Sequence, residues 1–118
     1  MPDVIFSEEA NRNLYIFIMG YRRPFVELFS DSGIGIEAEN EIINDYIRSS
    51  DALYEQIHQT IIEKLSEKEV LGRKLDGKIL EINFFIRDRI VMVIYSEDKE
   101  NDIRWVESVF INRKPIIF

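Results

Sequence analysis

The sequence predicts an α+β fold in which two N-terminal helices pack on one face of a mainly antiparallel sheet, in the order β-α-α-β-β-β. Two observations predict it. Apolar residues recur at helical intervals through most of the first 65 residues. After Gly72 the apolar period becomes two, which is typical of strands. With 118 residues, of which 46% are hydrophobic, the chain is predicted to form a single domain, 1–118.

The first helix is predicted from its start signals and its apolar face. Residues 3–6 are predicted to form a short strand, and Ser7 then offers an N-cap, followed by acidic residues that suit the first turn. The apolar face comprises Ala10, Leu14, Ile18 and Tyr21. Proline disfavours the helical conformation in the residue before it, so Arg22-Arg23-Pro24 is expected to end or kink this helix. Residues 31–35 carry the turn chemistry of a loop.

A second helical region is predicted from about Glu37 to Leu65. Apolar residues repeat every four positions, at Ala38, Ile42 and Tyr46 and again at Leu53, Ile57, Ile61 and Leu65. Between these two stretches, residues 49–51 offer a cap at which the helix could restart. Gly72 is expected to close the region.

The remainder predicts a β-meander of three strands, at Lys78–Ile86, Arg89–Tyr95 and Ile103–Ile111. In the first of them, alternation places Glu81 and Asn83 on the face opposite to the apolar residues. The middle strand is apolar on both faces, as a central strand would be. The N-terminal strand is expected to complete the sheet, and both helices must cover one face to bury their apolar stripes.

Composition excludes several classes of function. The chain has no cysteine and one histidine, so disulfides, thiol chemistry and a zinc site are not expected. It contains no apolar run of the roughly 18 residues that a membrane span requires, and its first residues lack the pattern of a signal peptide. We therefore expect a cytoplasmic protein with no cofactor, no bound metal and no membrane partner.

The net charge of −7 is unevenly distributed along the chain. Residues 1–71 hold 6 basic and 14 acidic side chains, a balance of −8, whereas residues 72–118 hold 9 basic and 8 acidic ones, a balance of +1. The overall acidity argues against a general nucleic-acid binder. The second part of the chain could still present a local basic surface.

Three separated segments of the chain carry a family resemblance when they are taken together. They are 4–10, VIFSEEA; 71–82, LGRKLDGKILEI, followed by RDRI at 87–90; and 109–115, VFINRKP. The first is similar to the strand and helix start of the RelE/ParE toxin superfamily. The second resembles a Gly-Arg-x-Leu approach to a Glu-Leu-Arg strand in the HigB-like branch of that superfamily, and the third resembles a phenylalanine followed by a basic cluster in the same branch. The predicted order of elements also agrees with that of the family.

The resemblance implies the toxin of a type II toxin–antitoxin pair, silenced by a cognate antitoxin that wraps around it. RelE and HigB members cleave mRNA in the ribosomal A site without a metal, whereas ParE members poison DNA gyrase. Cleavage proceeds by attack of the RNA 2′-hydroxyl on the neighbouring phosphate, and basic side chains stabilise the charge that develops on the phosphoryl oxygens. Ribosome and mRNA are therefore implied partners, and metal-independent endoribonuclease activity is one of two open alternatives.

Site residues carried over from the resemblance are all basic. The implied catalytic residues are Arg87 and Arg89 at the hairpin and Arg113 at the end of the last strand. The implied RNA-binding residues are Arg73 and Lys74, before the second predicted strand, and Lys114. Each set also has a structural interpretation, as turn residues, as cations after a helix C-terminus or as exposed charges at a strand end.

Other polar and aromatic positions are interpreted as structural. Glu81 is expected to be a surface carboxylate, although it could accept a proton. His58 is expected to lie on the helix face beside the apolar stripe, and Tyr95 and Trp105 to pack in the core or on the sheet.

An acidic immunity or inhibitor protein that neutralises a basic toxin or nuclease is the alternative function. The charge of the front half motivates it, since such a charge steers association with a positive surface. A toxin should gather its arginines in one concavity, whereas an inhibitor should present a continuous acidic face that includes Glu37, Glu41, Asp45 and Glu55. A third interpretation is a family member that kept the fold without the activity, because Asn83 stands where the motif has arginine.

Overall fold

The computed structural model describes residues 2–30 and 36–113, and of residues 22–30, 36–40, 42, 43, 46 and 113 it describes the backbone alone. Within these residues the protein is an α+β structure of two helices and a five-stranded, mostly antiparallel open sheet. The elements in chain order are β1 (Asp3–Phe6), α1 (Glu8–Ser30), α2 (Ile36–Leu65), β2 (Arg73–Asp76), β3 (Ile79–Ile86), β4 (Arg89–Asp98) and β5 (Ile103–Arg113).

The sheet has the strand order β1-β5-β4-β3-β2, so the last strand of the chain lies beside the first. β1 runs parallel to β5, and the other three pairs are antiparallel, as consecutive strands joined by hairpins must be. The expectation that the N-terminal strand completes the sheet is confirmed. β4 is the central strand, which explains why its sequence is apolar on both faces.

Ser7 fixes the start of α1 on the sheet. The backbone N–H of Ala10 donates a hydrogen bond to Ser7 Oγ at 3.0 Å, which is the predicted N-cap interaction. The same hydroxyl donates to the carbonyl oxygen of Glu107 on β5 at 2.9 Å. One side chain therefore satisfies a free N–H group of the helix and joins α1 to the neighbouring strand.

Both helices bury their apolar stripes against the same face of the sheet. Leu14 of α1 and Ile57 and Ile61 of α2 are fully buried, as are Val91 and Val93 of β4. Among the residues whose side chains are described, the buried cluster comprises Ala10, Leu14, Leu53, Ile57, Ile61, Leu65, Phe84, Ile86, Val91, Val93, Tyr95, Val106 and Val109. Within the described part of the chain, no helix is both long enough and apolar enough to cross a membrane.

The structure corrects two predicted boundaries in the helices. An end or a kink was expected at Arg22-Arg23-Pro24, and the first of these alternatives is wrong, since α1 continues through Pro24 to Ser30. An interior proline removes one backbone hydrogen bond and weakens a helix, but it need not end one whose preceding turns are held in a core. The second helix does not restart at residues 49–51, and α2 is continuous. The predicted loop at 31–35 lies outside the described residues.

The order of elements along the chain differs from the prediction by one additional strand. The structure has four strands after α2, where three were predicted, because Arg73–Asp76 forms the edge strand β2. Arg73 and Lys74 therefore lie on a strand, where a position before the strand was expected. All four residues of β2 are exposed, so they carry no alternation from which a strand could be recognised.

A candidate basic site at one end of the sheet

Arg87 occupies the tight turn between β3 and β4, at the end of the sheet. It is exposed and has a φ angle of 57°, in the left-handed region that side chains other than glycine rarely adopt. The predicted Arg87-Asp88 turn is confirmed by the pairing of Ile86 with Arg89 on its two sides. The turn therefore projects a cation into solvent at the cost of backbone strain.

Arg89 lies two residues further along the chain and is held against α1. Its guanidinium carbon is 5.2 Å from the ring centroid of Phe17 and 5.4 Å from that of Tyr21, within the range of cation–π attraction. In the sheet register, Arg89 is the Cα partner of Arg113 on β5. The backbone positions of three arginines therefore lie at one end of the sheet, and we call Arg87, Arg89 and Arg113 the basic corner.

Arg73 and Lys74, two of the three implied RNA-binding residues, lie away from the basic corner. Arg73 pairs with Glu81 in the register of β2 and β3, about five residues or roughly 17 Å from the end of β3 where the basic corner begins. Lys74 is its neighbour on β2, and Lys114 lies outside the described residues. The six predicted basic residues are thus not assembled into a single concavity.

Sequence reasoning missed a polar cluster on the face of the sheet that the helices leave open. Glu81 is only 7% exposed, so its expected position as a surface carboxylate is wrong. Asn83 donates to Glu81 Oε1 at 2.7 Å, and Arg73 donates to Glu81 Oε2 at 3.3 Å. The shared face of Glu81 and Asn83 was predictable from alternation, but the arginine comes from β2, the strand that the sequence does not reveal.

Lys74 lines a cleft of about 750 Å³ between the β2–β3 and β4–β5 hairpins. The cleft is polar and carries both signs of charge: its charged lining residues are Lys74, Lys78, Lys99, Glu97, Asp98 and Glu100. Hydrogen bonds from the side chain and backbone of Asn101 lower the pKa of Asp98, with a smaller contribution from Lys78. This mixture of charges does not define an anion site.

His58 lies on the face of α2 beside the apolar stripe, as expected. Its ring stacks on Phe6 of β1 with centroids 4.4 Å apart and on Tyr54 of α2 with centroids 6.0 Å apart. Tyr95 is fully buried in the core and Trp105 is 37% exposed on the sheet, which agrees with their predicted packing roles. Among the described residues, no three His, Cys, Asp or Glu side chains come together as metal ligands.

Arg87→Gly is expected to raise the free energy of unfolding by about 0.5–1 kcal/mol. A residue with a Cβ costs about 1–2 kcal/mol in the left-handed region, and the greater freedom of glycine in the unfolded chain returns part of that gain. Urea unfolding measures the change. Asp102→Gly is the matched control, since Asp102 has a φ of 55° at the β4–β5 turn. A loss of stability in Arg87→Gly would contradict the argument.

Comparisons with protein-family models, with curated proteins and with solved structures find no match for this chain.

Proposed function

We propose that the chain is a toxin of the RelE/ParE type, from a type II toxin–antitoxin pair, with its functional site at the basic corner. The observation that carries the proposal is that the backbone positions of Arg87, Arg89 and Arg113 lie at the same end of the sheet. These are the three residues to which the resemblance assigns catalysis, and they are separated by up to 26 positions in the sequence.

The two arginines whose side chains are described differ in what they can contribute. Arg89 is half-buried over aromatic rings, so its position is fixed and its charge is partly shielded from water. Arg87 is exposed and free to approach a phosphate. In the ribonuclease version of the proposal, Arg89 holds one phosphoryl oxygen in place and Arg87 stabilises the charge that develops during attack by the 2′-hydroxyl.

The fold supports the same proposal. A strand and two helices precede an antiparallel meander, and β2 is an edge strand that the expected order lacks. Arg73 and Lys74 lie away from the basic corner, and the Arg73 guanidinium is paired with Glu81. The proposal therefore requires only the corner for activity and assigns Arg73 to the Glu81 cluster.

Growth of bacteria after tightly controlled expression tests the proposal. The wild-type chain is expected to arrest growth, and Arg87→Gly to relieve the arrest at least tenfold in surviving colonies, because it removes the exposed cation. Since Arg87→Gly is also expected to be more stable than the wild type, relief cannot be attributed to unfolding. Arg87→Lys, which keeps the charge, should retain most of the arrest.

Asp102→Gly is the control, because it makes the same backbone change at the opposite end of the hairpins and should arrest growth as the wild type does. Primer extension on ribosome-bound mRNA then separates the two toxin modes, since the ribonuclease yields new 5′ ends and a gyrase poison does not. Normal growth with abundant folded wild-type protein would contradict the toxin proposal.

An acidic inhibitor of a basic protein is a second candidate, favoured by the outer surface of α2. Glu41, Asp45, Glu55 and Glu63 are all exposed, while Leu53, Ile57, Ile61 and Leu65 of the same helix are buried. Arg48 lies among these acids and pairs with Asp45, and the Glu37 side chain lies outside the described residues. This candidate predicts normal growth for all four chains in the same experiment.

A further inference from the structure

A pocket of about 230 Å³ opens at the surface between α1 and α2, which pack on each other. Its lining residues are Tyr15, Ile18 and Met19 of α1 and Asp51 and Tyr54 of α2. Ile18 is buried, Met19 and Tyr54 are half-buried, and Tyr15 and Asp51 are exposed. The inner part of the pocket is therefore apolar, and the carboxylate among these lining residues belongs to its exposed part.

The Tyr54 wall of the pocket is held in place by a stack of rings. The Tyr54 ring stacks on His58 of the same helix, and the His58 ring stacks on Phe6 of β1. The stack joins α2 to the edge of the sheet. A wall that is already fixed lowers the entropy cost of binding a ligand against it.

The described surroundings of the pocket are acidic. Asp51 and Glu55 are exposed and lie one turn apart, on the same side of α2. The arginines of the two helices whose side chains are described are both paired with acids, Arg12 with Glu9 and Arg48 with Asp45. Residues 1–71 as a whole hold 6 basic and 14 acidic side chains. This surface therefore attracts cations and repels anions.

We propose that the pocket binds the side chain of a lysine or arginine from a basic partner protein. Such a side chain has an apolar stem, which packs on Ile18 and Met19, and a cationic end. Tyrosine rings attract a cation, and a carboxylate accepts its hydrogen bonds. A carboxylate has about four acceptor sites, so Asp51 can accept this donor in addition to its contacts within the chain.

Other occupants match less of the surface. A wholly apolar side chain would take water from the Asp51 carboxylate and donate nothing to it. An acidic segment would be repelled by the charge of the front half. The exposed acids of α2 also extend beyond the pocket, to Glu41 and Glu63, so a polypeptide with several cations is favoured over a single small amine. The inference does not depend on the toxin proposal, because no residue of the pocket belongs to the basic corner.

Fluorescence anisotropy of labelled hexalysine, titrated with the full chain at about 0.15 M salt, tests the proposal. The wild type is expected to bind hexalysine saturably, and labelled hexaglutamate should not bind. Tyr15→Ala and Asp51→Asn should each raise the dissociation constant by about fivefold, through loss of the ring and of the charged acceptor.

Ile16→Ala and Glu41→Gln are the matched controls. Ile16 is the neighbour of Tyr15 and is 59% exposed, but it does not line the pocket. Glu41 is an exposed acid of the same helix, ten residues or about 15 Å from Asp51. Each control should change the dissociation constant less than about twofold, because a single exposed charge contributes little. Circular dichroism checks that all four variants are folded.

Methyl NMR of the wild type locates the bound peptide without any substitution. Hexalysine should shift the methyl signals of Ile18 and Met19 and leave that of Met92, on β4, in place. A wild type that does not bind hexalysine, or that binds it without a shift at Met19, overturns the proposal. Equal weakening by Asp51→Asn and Glu41→Gln also overturns it, since the attraction would then belong to the acidic surface as a whole.

Discussion

Replacing Arg104 by methionine is expected to lower the free energy of unfolding by about 3–5 kcal/mol, the cost of leaving a buried polar network without its charged donor. The Arg104 side chain is buried on the helix side of β5. Its guanidinium donates to the carbonyl oxygens of Leu65 at 2.6 Å and of Lys68 at 3.1 Å, and also to that of Glu67.

Of the carbonyls that Arg104 binds, that of Leu65 belongs to the last residue of α2, and those of Glu67 and Lys68 belong to the turn that follows it. The last carbonyl groups of a helix have no partner within it, and the helix dipole makes this end attractive for a cation. Arg104 thus acts as the C-terminal cap of a 30-residue helix and ties it to the sheet. Methionine fills a similar volume but donates nothing, so three carbonyls would lose their donor. The Glu97 carboxylate, 3.9 Å from the guanidinium, would lose its ion-pair partner.

Urea unfolding followed by circular dichroism measures the loss, and hydrogen exchange should show that the last turn of α2 opens first. Arg104→Lys should recover only part of the stability, because one ammonium group cannot reach three carbonyls in the geometry of the guanidinium fork. Arg12→Met is the control: Arg12 pairs with Glu9 at the surface, and its loss should cost less than about 1 kcal/mol. An Arg104→Met variant within 1 kcal/mol of the wild type would refute the capping role.

The alternation of residues along β5 already indicates a structural role for Arg104. Arg104 alternates with Ile103 and Trp105, and alternation places it on the same face as Val106, which is fully buried. A charged residue at an inward position requires buried partners. The sequence could therefore have shown that Arg104 has a structural role, but it could not have shown that the partner is the end of α2, 36 to 39 residues earlier.

The elements that follow a strong apolar period were predicted well. α2 begins within a residue of the expected position and ends at Leu65 as expected, and β3 and β4 begin within a residue of their predicted starts. Periodicity succeeds there because burial on one face imposes it. β2 was missed because none of its residues is buried, and with it the partner of Glu81 was missed.

The candidate site was only partly predictable for a similar reason. The position of Arg87 and Arg89 at a hairpin follows from local turn chemistry. Their position near the end of β5 follows from the meander, in which β4 and β5 are neighbouring strands. The contact of Arg89 with Phe17 and Tyr21 depends on how α1 crosses the sheet, which no local pattern encodes. The packing of helices on the sheet decides whether a cation is free to bind a ligand or is already in contact with other side chains.

Gly72→Ala is the second substitution with a large expected effect, a loss of about 3 kcal/mol in the free energy of unfolding. A Cβ at residue 72 would lie 2.0 Å from the hydroxyl oxygen of Tyr95, 2.9 Å from Cζ and 3.1 Å from Cε1 of the same ring. Tyr95 is fully buried in the central strand, so its ring cannot move aside. Overpacking of this kind forces backbone shifts that cost typically 1–3 kcal/mol and occasionally more.

Thermal and urea unfolding measure the loss, with Gly20→Ala as the matched control. A Cβ at Gly20 meets nothing within 4 Å, and Gly20 lies within α1, so alanine there should add up to about 1 kcal/mol through its helix propensity. Opposite signs for the same chemical change at the two glycines would separate the steric effect from the general effect of removing a glycine. A Gly72→Ala variant as stable as the wild type would contradict the close approach.

Tyr95→Phe tests the same contact from the other side. Among the described residues, the buried Tyr95 hydroxyl has no hydrogen-bond partner, so its removal should leave the stability unchanged or raise it by up to about 1 kcal/mol. Because phenylalanine lacks the closest clashing atom, Gly72→Ala should cost at least about 1 kcal/mol less in the Tyr95→Phe background, a coupling that a double-mutant cycle measures. Additive effects of the two substitutions would show that the ring and residue 72 do not meet.

The pH dependence of stability provides an independent measure of the buried hydroxyl. Burial raises the pKa of Tyr95, with a smaller effect from the Glu97 carboxylate. The folded protein therefore holds the phenolic proton more tightly than the unfolded chain does. The resulting contribution to stability is complete below the unfolded pKa of about 10 and decreases as the pH rises above it. In Tyr95→Phe, the free energy of unfolding should therefore decrease less steeply with pH above about 10. Tyr15→Phe, at an exposed tyrosine, should keep the wild-type slope. Equal slopes in the wild type and Tyr95→Phe would place the Tyr95 hydroxyl in water.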